Sequence, residues 1–325
     1  MEDGGAEVKW RFIGRKKDNK KGKKEGIVGI YETPKSIAIA YALAVGSKIT
    51  VRSYVLQQAE DLTAKQAVLQ QFVTEQGLQG VHCSYVLSPG EYNLNLVDEP
   101  TVPKEEVAKA LRWVLKDLVN FPVEDAILDT FELPFVRARD NTKMIYAATM
   151  RKEMIPKIEA FIAPSTLVLK FIDIPELVLK NVVGLHPQEA KGCAFLYLGP
   201  KSGRLILSRN QQLCITRAFE LKADDLGKDP IRDAKILDAL SLEIQRSNDY
   251  IGSVFRQNIP NVIILAPTLT NRNILQESFK SSLGSEVFLL RLSELLTFEK
   301  AVKEEEEAEA LLAIGAVLRA WEKVA

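Results

Sequence analysis

Residues able to grip an anion gather in one short stretch, CAFLYLGPKSGRLILSRNQQLCITRAFEL, from Cys193 to Leu221. Gly199 stands in a tight turn between two apolar runs, and Lys201, Ser202 and Arg204 follow it closely. A glycine lets the backbone approach a phosphate, and the neighbouring cations and hydroxyl could hold one there. The same residues also make an ordinary charged hairpin tip, since Gly, Pro and Ser suit a turn without any ligand. No GxxxxGK[ST], GxGxxG or GxSxG pattern occurs in the chain, so no phosphate-loop or nucleophile-elbow motif supports the cluster.

Other residue types with chemical potential are poorly arranged. His82 and Cys83 are adjacent, so on a strand they face opposite sides. Cys83, Cys193 and Cys214 are odd in number and form no CxxC; this argues against a disulfide framework or a zinc site and fits a reducing compartment. Asp224 and Asp225 sit in a polar loop with Gly227 and Pro230, where carboxylates serve the turn into a helix better than acid/base work.

The bulk properties are those of a soluble globular protein. The chain has 325 residues, 46% hydrophobic and 26% charged, with 43 Lys+Arg against 43 Asp+Glu. That length predicts about two domains. The balanced charge gives no overall field that would favour nucleic acid. The start, MEDGGAEVKW, has no apolar h-region, and the longest apolar run, residues 37–45, falls short of the ~20 residues that span a bilayer. The expectation is a cytoplasmic protein.

Charge is uneven along the chain. Residues 1–25 read as a basic tail, with Lys16, Lys17, Lys20, Lys21, Lys23 and Lys24 in RKKDNKKGKK. A block of like charge reads as a solvated tail. The sharper reading is a surface anchor, each lysine attracting anionic lipid by about 1 kcal/mol while Trp10, Phe12 and Ile13 reach the interface. The acidic run Glu304–Glu307 opens the last predicted helix, where the helix dipole favours negative charge.

The elements that must position these residues follow from periodicity. Strands are predicted at 26–32, 36–43 and 47–56, then a helix at 63–75 stopped by Gly77. SIAIAYAL is apolar on both faces, as expected of a strand covered on both sides. Strands at 80–87 and 92–97, a helix at 104–119, strands at 126–133 and 143–149, a helix at 152–161 and a strand at 166–172 complete the first half. Trp113 lies off the stripe of Val107, Leu111 and Leu118, so it is expected either exposed or packed on a neighbouring subdomain. The second half repeats the grammar: strands at 194–198, 204–208 and 213–220, a long helix at 231–255, a strand from Asn261, a helix at 271–283, a strand from Glu286 and a helix at 304–322. The order βββαβα in both halves predicts an α/β protein of two mixed sheets with a ligand cleft between them.

Several stretches add a resemblance to this reading. They are GRKKDNKKGKKEGIVGIYETPKSIAIAYA, VPKEEVAKALRWVLKDLVNFPVEDAILDTFELP, FIDIPELVLKNV, LSLEIQRSNDYI and ALLAIGAVLRAW. Together they resemble the MshI-like proteins of MSHA (mannose-sensitive haemagglutinin) pilus biogenesis, within the PilM-like branch of the actin-like ATPase fold. The resemblance implies duplicated, ribonuclease H-like βββαβα halves at 26–180 and 181–325, with an α+β subdomain inserted at about 81–150 of the first. It implies a cytoplasmic scaffold peripheral to the inner membrane, docking on a PilN-like (MshJ-like) bitopic pilus protein. A pilus assembly ATPase and the anionic membrane surface are further possible partners. In the PilM-like family the partner's peptide lies against the smaller subdomain of the first half, which puts Trp113 forward as an anchor.

The resemblance also locates three nucleotide loops, and all three are altered. In GIYETPKS the metal-holding Asp falls at about Tyr31 and the Gly at Thr33, with Glu32 one place off. In LYLGPKSG the Gly remains as Gly199, the Asp position is Tyr197, and Pro200 has no N–H for an anion. In LAPTLTN, Ala266, Pro267 and Thr268 replace glycines. Glu32, Gly199, Lys201, Ser202 and Thr268 are therefore the residues left for a degenerate nucleotide site. The expectation is no cofactor and no turnover; the alternative is an ATP-binding switch or weak ATPase with Glu32 as substitute ligand.

Overall fold

The computed structural model describes residues 25–45, 48–103, 106–200, 202–267, 272–300 and 302–321. The first half opens with an antiparallel meander, β1 (Ile27–Glu32), β2 (Ser36–Val45) and β3 (Lys48–Gln58). Helix α1 (Leu62–Glu75), N-capped by the Asp61 carboxylate on the Ala64 N–H, returns the chain so that β4 (His82–Val86) lies parallel to β1. An insertion follows: β5 (Tyr92–Asp98), α2 (Val107–Leu115), β6 (Ala126–Val136) and β7 (Lys143–Arg151) form their own three-stranded sheet, ordered β5-β7-β6. Helix α3 (Met154–Ile162) and β8 (Val168–Asp173) then add the fifth strand of the first sheet; its sixth comes from near the end of the described chain.

Helix α4 (Pro175–Val183) crosses to the second half. There β9 (Cys193–Leu198), β10 (Gly203–Arg209) and β11 (Gln212–Phe219) repeat the meander. The long helix α5 (Pro230–Phe255), β12 (Val262–Leu265), α6 (Arg272–Leu283) and β13 (Glu286–Leu289) repeat the parallel part. The short α7 (Leu292–Leu295), β14 (Thr297–Phe298) and α8 (Glu304–Val317) end the described chain. The orders β3-β2-β1-β4-β8 and β11-β10-β9-β12-β13 are the same topology twice. The expected α/β duplication is thus present.

The two halves exchange their last elements. Helix α8 leaves the second half and packs on β1 and β2 of the first sheet, while α4 packs on β10 and β11 of the second. The sequence of β1 and β2 explains the first contact. Gly29 faces Ala40 across the strands, with Ala38 and Ala42 on the same side, so one face of the meander is built of small residues. Helix α8 comes so close that a Cβ on Gly29 would lie 2.1 Å from the Ala313 carbonyl oxygen. The opposite face carries Ile30, Ile37 and Ile39, all buried.

Three details differ from the sequence-based expectation. Strand β4, placed with the insertion at about 81–150, is a central strand of the first sheet, and the inserted sheet starts only at β5. Helix α2 is shorter than the predicted 104–119. Helix α4 was not among the predicted helices, because all its residues but Asn181 are buried; with no polar face, no amphipathic period shows. Among the described residues, no helix is long and apolar enough to cross a membrane.

A tyrosine-filled cleft between the halves

A cleft of about 520 Å³ opens between the two meanders. The Thr33–Ser36 turn after β1 lines one wall and the Gly199–Pro200 turn after β9 the other, with Lys222, Asp224 and Glu309 at its sides. Tyr31 lines this cleft, and beside it a small pocket of about 10 Å³ is lined by both Tyr31 and Tyr197. Tyr31 is the fifth of six residues in β1, and Tyr197 is the fifth of six in β9. The duplication therefore aims the same position of each half into the same space.

Both phenols are deeply buried, at 5% exposure each. Burial pushes the Tyr31 hydroxyl up to about 12 against the lowering effect of a hydrogen bond with Ser88. Burial also raises Tyr197. Both are neutral donors at pH 7 and offer no carboxylate to a cation. The Tyr197 ring folds against its own turn: a Cβ on Gly199 would lie 2.6 Å from the Tyr197 hydroxyl. The Gly199 N–H is spent on the Ser202 carbonyl at 3.1 Å, and Pro200 has none.

Glu32 occupies the other face of β1 from Tyr31, as alternation requires. It receives the Tyr85 hydroxyl and pairs with Lys65 at 3.0 Å. Lys65, buried on α1, also donates to the Thr33 carbonyl. Glu32 thus ties α1 and β4 to the turn after β1 and does not line the cleft.

Ser202 and Arg204 are likewise engaged inside the protein. Arg204 Nε bonds Glu176 Oε1 at 2.8 Å, and its Nη1 donates to Ser202 Oγ at 3.0 Å and to the Gly203 carbonyl at 2.9 Å. The Tyr92 hydroxyl donates to the other Glu176 oxygen at 2.7 Å. Burial alone would lower the Arg204 pKa, but Glu176 and Tyr92 outweigh it and hold the guanidinium charged. Sequence reasoning missed Glu176 and Tyr92. The available signal was Glu176 itself, a lone carboxylate in the apolar run IPELVL.

Lys201, Thr268 and the tail lysines Lys16, Lys17, Lys20, Lys21, Lys23 and Lys24 lie outside the described residues. Trp113 projects from α2 of the inserted subdomain with 74% of its surface exposed, beside the exposed Val114 and Leu118. Leu111 and Leu115, one turn apart, hold the helix to the inserted sheet with Val97, Ile145 and Ala147. Among the described residues, no group of three or more His, Cys, Asp or Glu is placed to hold a metal ion.

No protein-family profile matches the chain, and no curated protein does. Solved structures do. The chain is similar to the PilM-PilN type IV pilus biogenesis complex, at 17% identity and a TM-score of 0.70, covering 91% of this chain and 99% of that one. It is similar to a Bacteroides thetaiotaomicron protein of actin-like ATPase fold and unknown function, at 11% identity and a TM-score of 0.50, covering 85% and 93%. The cytoplasmic domain of EpsL, an inner-membrane component of the Vibrio cholerae type II secretion system, aligns at 12% identity and a TM-score of 0.48, covering 90% and 94%. With its doubled 3-2-1-4-5 sheets and crossed helices, this chain has the actin-like ATPase fold.

Proposed function

We propose that this protein is a docking scaffold of a type IV pilus assembly machine, of the MSHA type, that works without nucleotide turnover. The observation that carries the reading is the pair Tyr31 and Tyr197. They stand at the two positions where the resemblance expects metal-holding carboxylates, and they are buried and neutral. The residues present do not fit a metal-bound triphosphate: the Gly199 turn is filled by the Tyr197 ring, and Glu32 is paired with Lys65 away from the cleft. The chemistry left to the molecule is binding.

The partner in this reading is the cytoplasmic segment of a PilN-like bitopic inner-membrane protein, as suggested by the likeness to the PilM-PilN complex. Trp113 and its apolar neighbours on α2 supply the anchor, since aromatic side chains dominate interface energetics. The protein then sits in the cytoplasm against the inner membrane, and the basic tail adds attraction to anionic lipid.

Isothermal titration tests the reading. Mg-ATP is expected to give no binding tighter than about 100 μM, worth roughly 5.5 kcal/mol. A peptide from the cytoplasmic tail of a PilN-like bitopic protein is expected to bind. Tight Mg-ATP binding instead supports the switch or weak ATPase and ends the scaffold reading.

A further inference from the structure

Among the described residues, the outer edge of β3 is almost uncovered. β14 pairs with it only at Thr50 and Val51, and the Glu299 N–H closes that contact on the Val51 carbonyl at 3.0 Å. From Arg52 to Gln58, no strand among the described residues lies on this side. On the inner side, the Ala59 N–H donates to the Lys35 carbonyl at 2.8 Å. Strand alternation then turns the backbone groups of Ser53, Val55 and Gln57 towards β2 and those of Tyr54, Leu56 and Gln58 outward.

Exposed edges are normally blunted by proline, lysine or inward charge, because unpaired N–H and C=O groups recruit other chains. The stretch RSYVLQQ carries none of these. Its one charge, Arg52, is paired with Glu299. A groove of about 500 Å³ runs along this edge, walled on the far side by α1. Val55, Val68 and Phe72 give it an apolar lining, and Gln71, Glu75 and Lys300 stand at its rim.

We propose that this edge is the docking site for an extended segment of another protein, added as a strand beside β3. The hydrogen-bonding pattern selects a polypeptide backbone as occupant. The track is already in use, since β14 lies on the same edge and the groove continues its line. Charge selects a neutral segment: Arg52 is paired with Glu299, Glu306 with Lys303, and the rim adds one charge of each sign, Glu75 and Lys300. The segment accordingly has apolar side chains at alternate positions, facing Val55, Val68 and Phe72. This site is separate from the inserted subdomain; Leu56 also borders the cleft, whereas Gln71 lies on the groove alone.

A display library of random nine-residue peptides, panned on the full chain, tests the proposal. Enriched peptides are expected to alternate apolar and uncharged polar residues and to slow amide exchange at Tyr54 and Leu56. Two variants then decide. Leu56→Pro removes an outward N–H and leaves the β2 ladder intact. Gln71→Trp fills the groove from α1 without touching β3. Each is expected to weaken binding at least tenfold, and if Leu56→Pro does not fold, Gln71→Trp decides alone. The proposal is overturned if no peptide distinguishes the wild type from Gln71→Trp. It is also overturned if these amides are already protected in the free chain and lose that protection when residues 1–24 are removed, or if Gln71→Trp turns a dimer into a monomer.

Discussion

Arg204 on β10 and Glu176 on α4 form a buried ion pair at 2.8 Å, with side-chain exposures of 6% and 4%. Tyr92, on the first strand of the insertion, completes it. The second half, the crossing helix and the inserted subdomain therefore meet at one charge cluster. A second buried pair, Arg319 with Asp173 at 3.7 Å, lies just before α4 and ties it to the end of the chain.

Removing one partner of such a pair leaves an unpaired buried charge. Arg204→Met is expected to cost about 3–5 kcal/mol in urea unfolding. Adding Glu176→Gln removes the stranded charge and keeps an acceptor for the Tyr92 hydroxyl. The double variant is expected to recover most of the loss, and a loss equal to or larger than that of Arg204→Met shows that the pair does more than satisfy itself.

His186 gives a pH dependence with a definite sign. Its Nδ1 accepts the Gln188 N–H at 3.3 Å, which requires a neutral ring, and the ring lies 5.7 Å from Phe288. Burial lowers its pKa from 6.5, against a raising effect of Glu294. The unfolded chain therefore binds the proton first as pH falls. The contribution is fully present above about 6.5 and is lost as pH drops through the lower, folded value. Asn at this position keeps a capping oxygen but cannot titrate. The wild type is expected to lose stability relative to His186→Asn between pH 7 and 5, measured by denaturant midpoints; parallel curves refute the assignment.

What could be read from sequence divides along physical lines. The doubled meander was legible because SIAIAYAL and CAFLYL carry their apolar pattern locally. That Tyr31 and Tyr197 stand where the resemblance expects acidic residues was legible, because such a comparison needs only a residue type. The use of Ser202 and Arg204 was not. Arg204 reads as an anion ligand beside a glycine turn, and only the fold brings Glu176, 28 residues away, against it. Glu32 is similar: its alternation with Tyr31 was visible, but Lys65 and Tyr85 reach it through tertiary structure. Strand β14 has two residues, too few for any period.

Gly29 tests the close approach of α8. Its added methyl would meet the Ala313 carbonyl, a backbone atom that cannot turn aside. Gly29→Ala is expected to cost about 1–3 kcal/mol by overpacking, read as a fall in Tm. Gly315→Ala meets the Val178 and Val182 methyls at 2.6 and 2.8 Å, while the nearest backbone atom, the Val178 carbonyl oxygen, is at an ordinary 3.4 Å. It also gains about 1 kcal/mol of helix propensity. Its Tm is expected to stay well above that of Gly29→Ala; equal losses place the strain elsewhere.

Trp113 separates interface from core. At 74% exposure it contributes little to folding, so Trp113→Ala is expected to change stability by no more than about 0.5 kcal/mol. If the α2 face receives the pilus partner, the same change weakens the PilN-like peptide by about 2 kcal/mol, near 30-fold in Kd. Leu111→Ala supplies the contrast: fully buried against the inserted sheet, it is expected to lose about 2–5 kcal/mol of stability. Peptide affinity that is unchanged in Trp113→Ala, with the protein folded, removes α2 as the docking face and moves the partner to another surface.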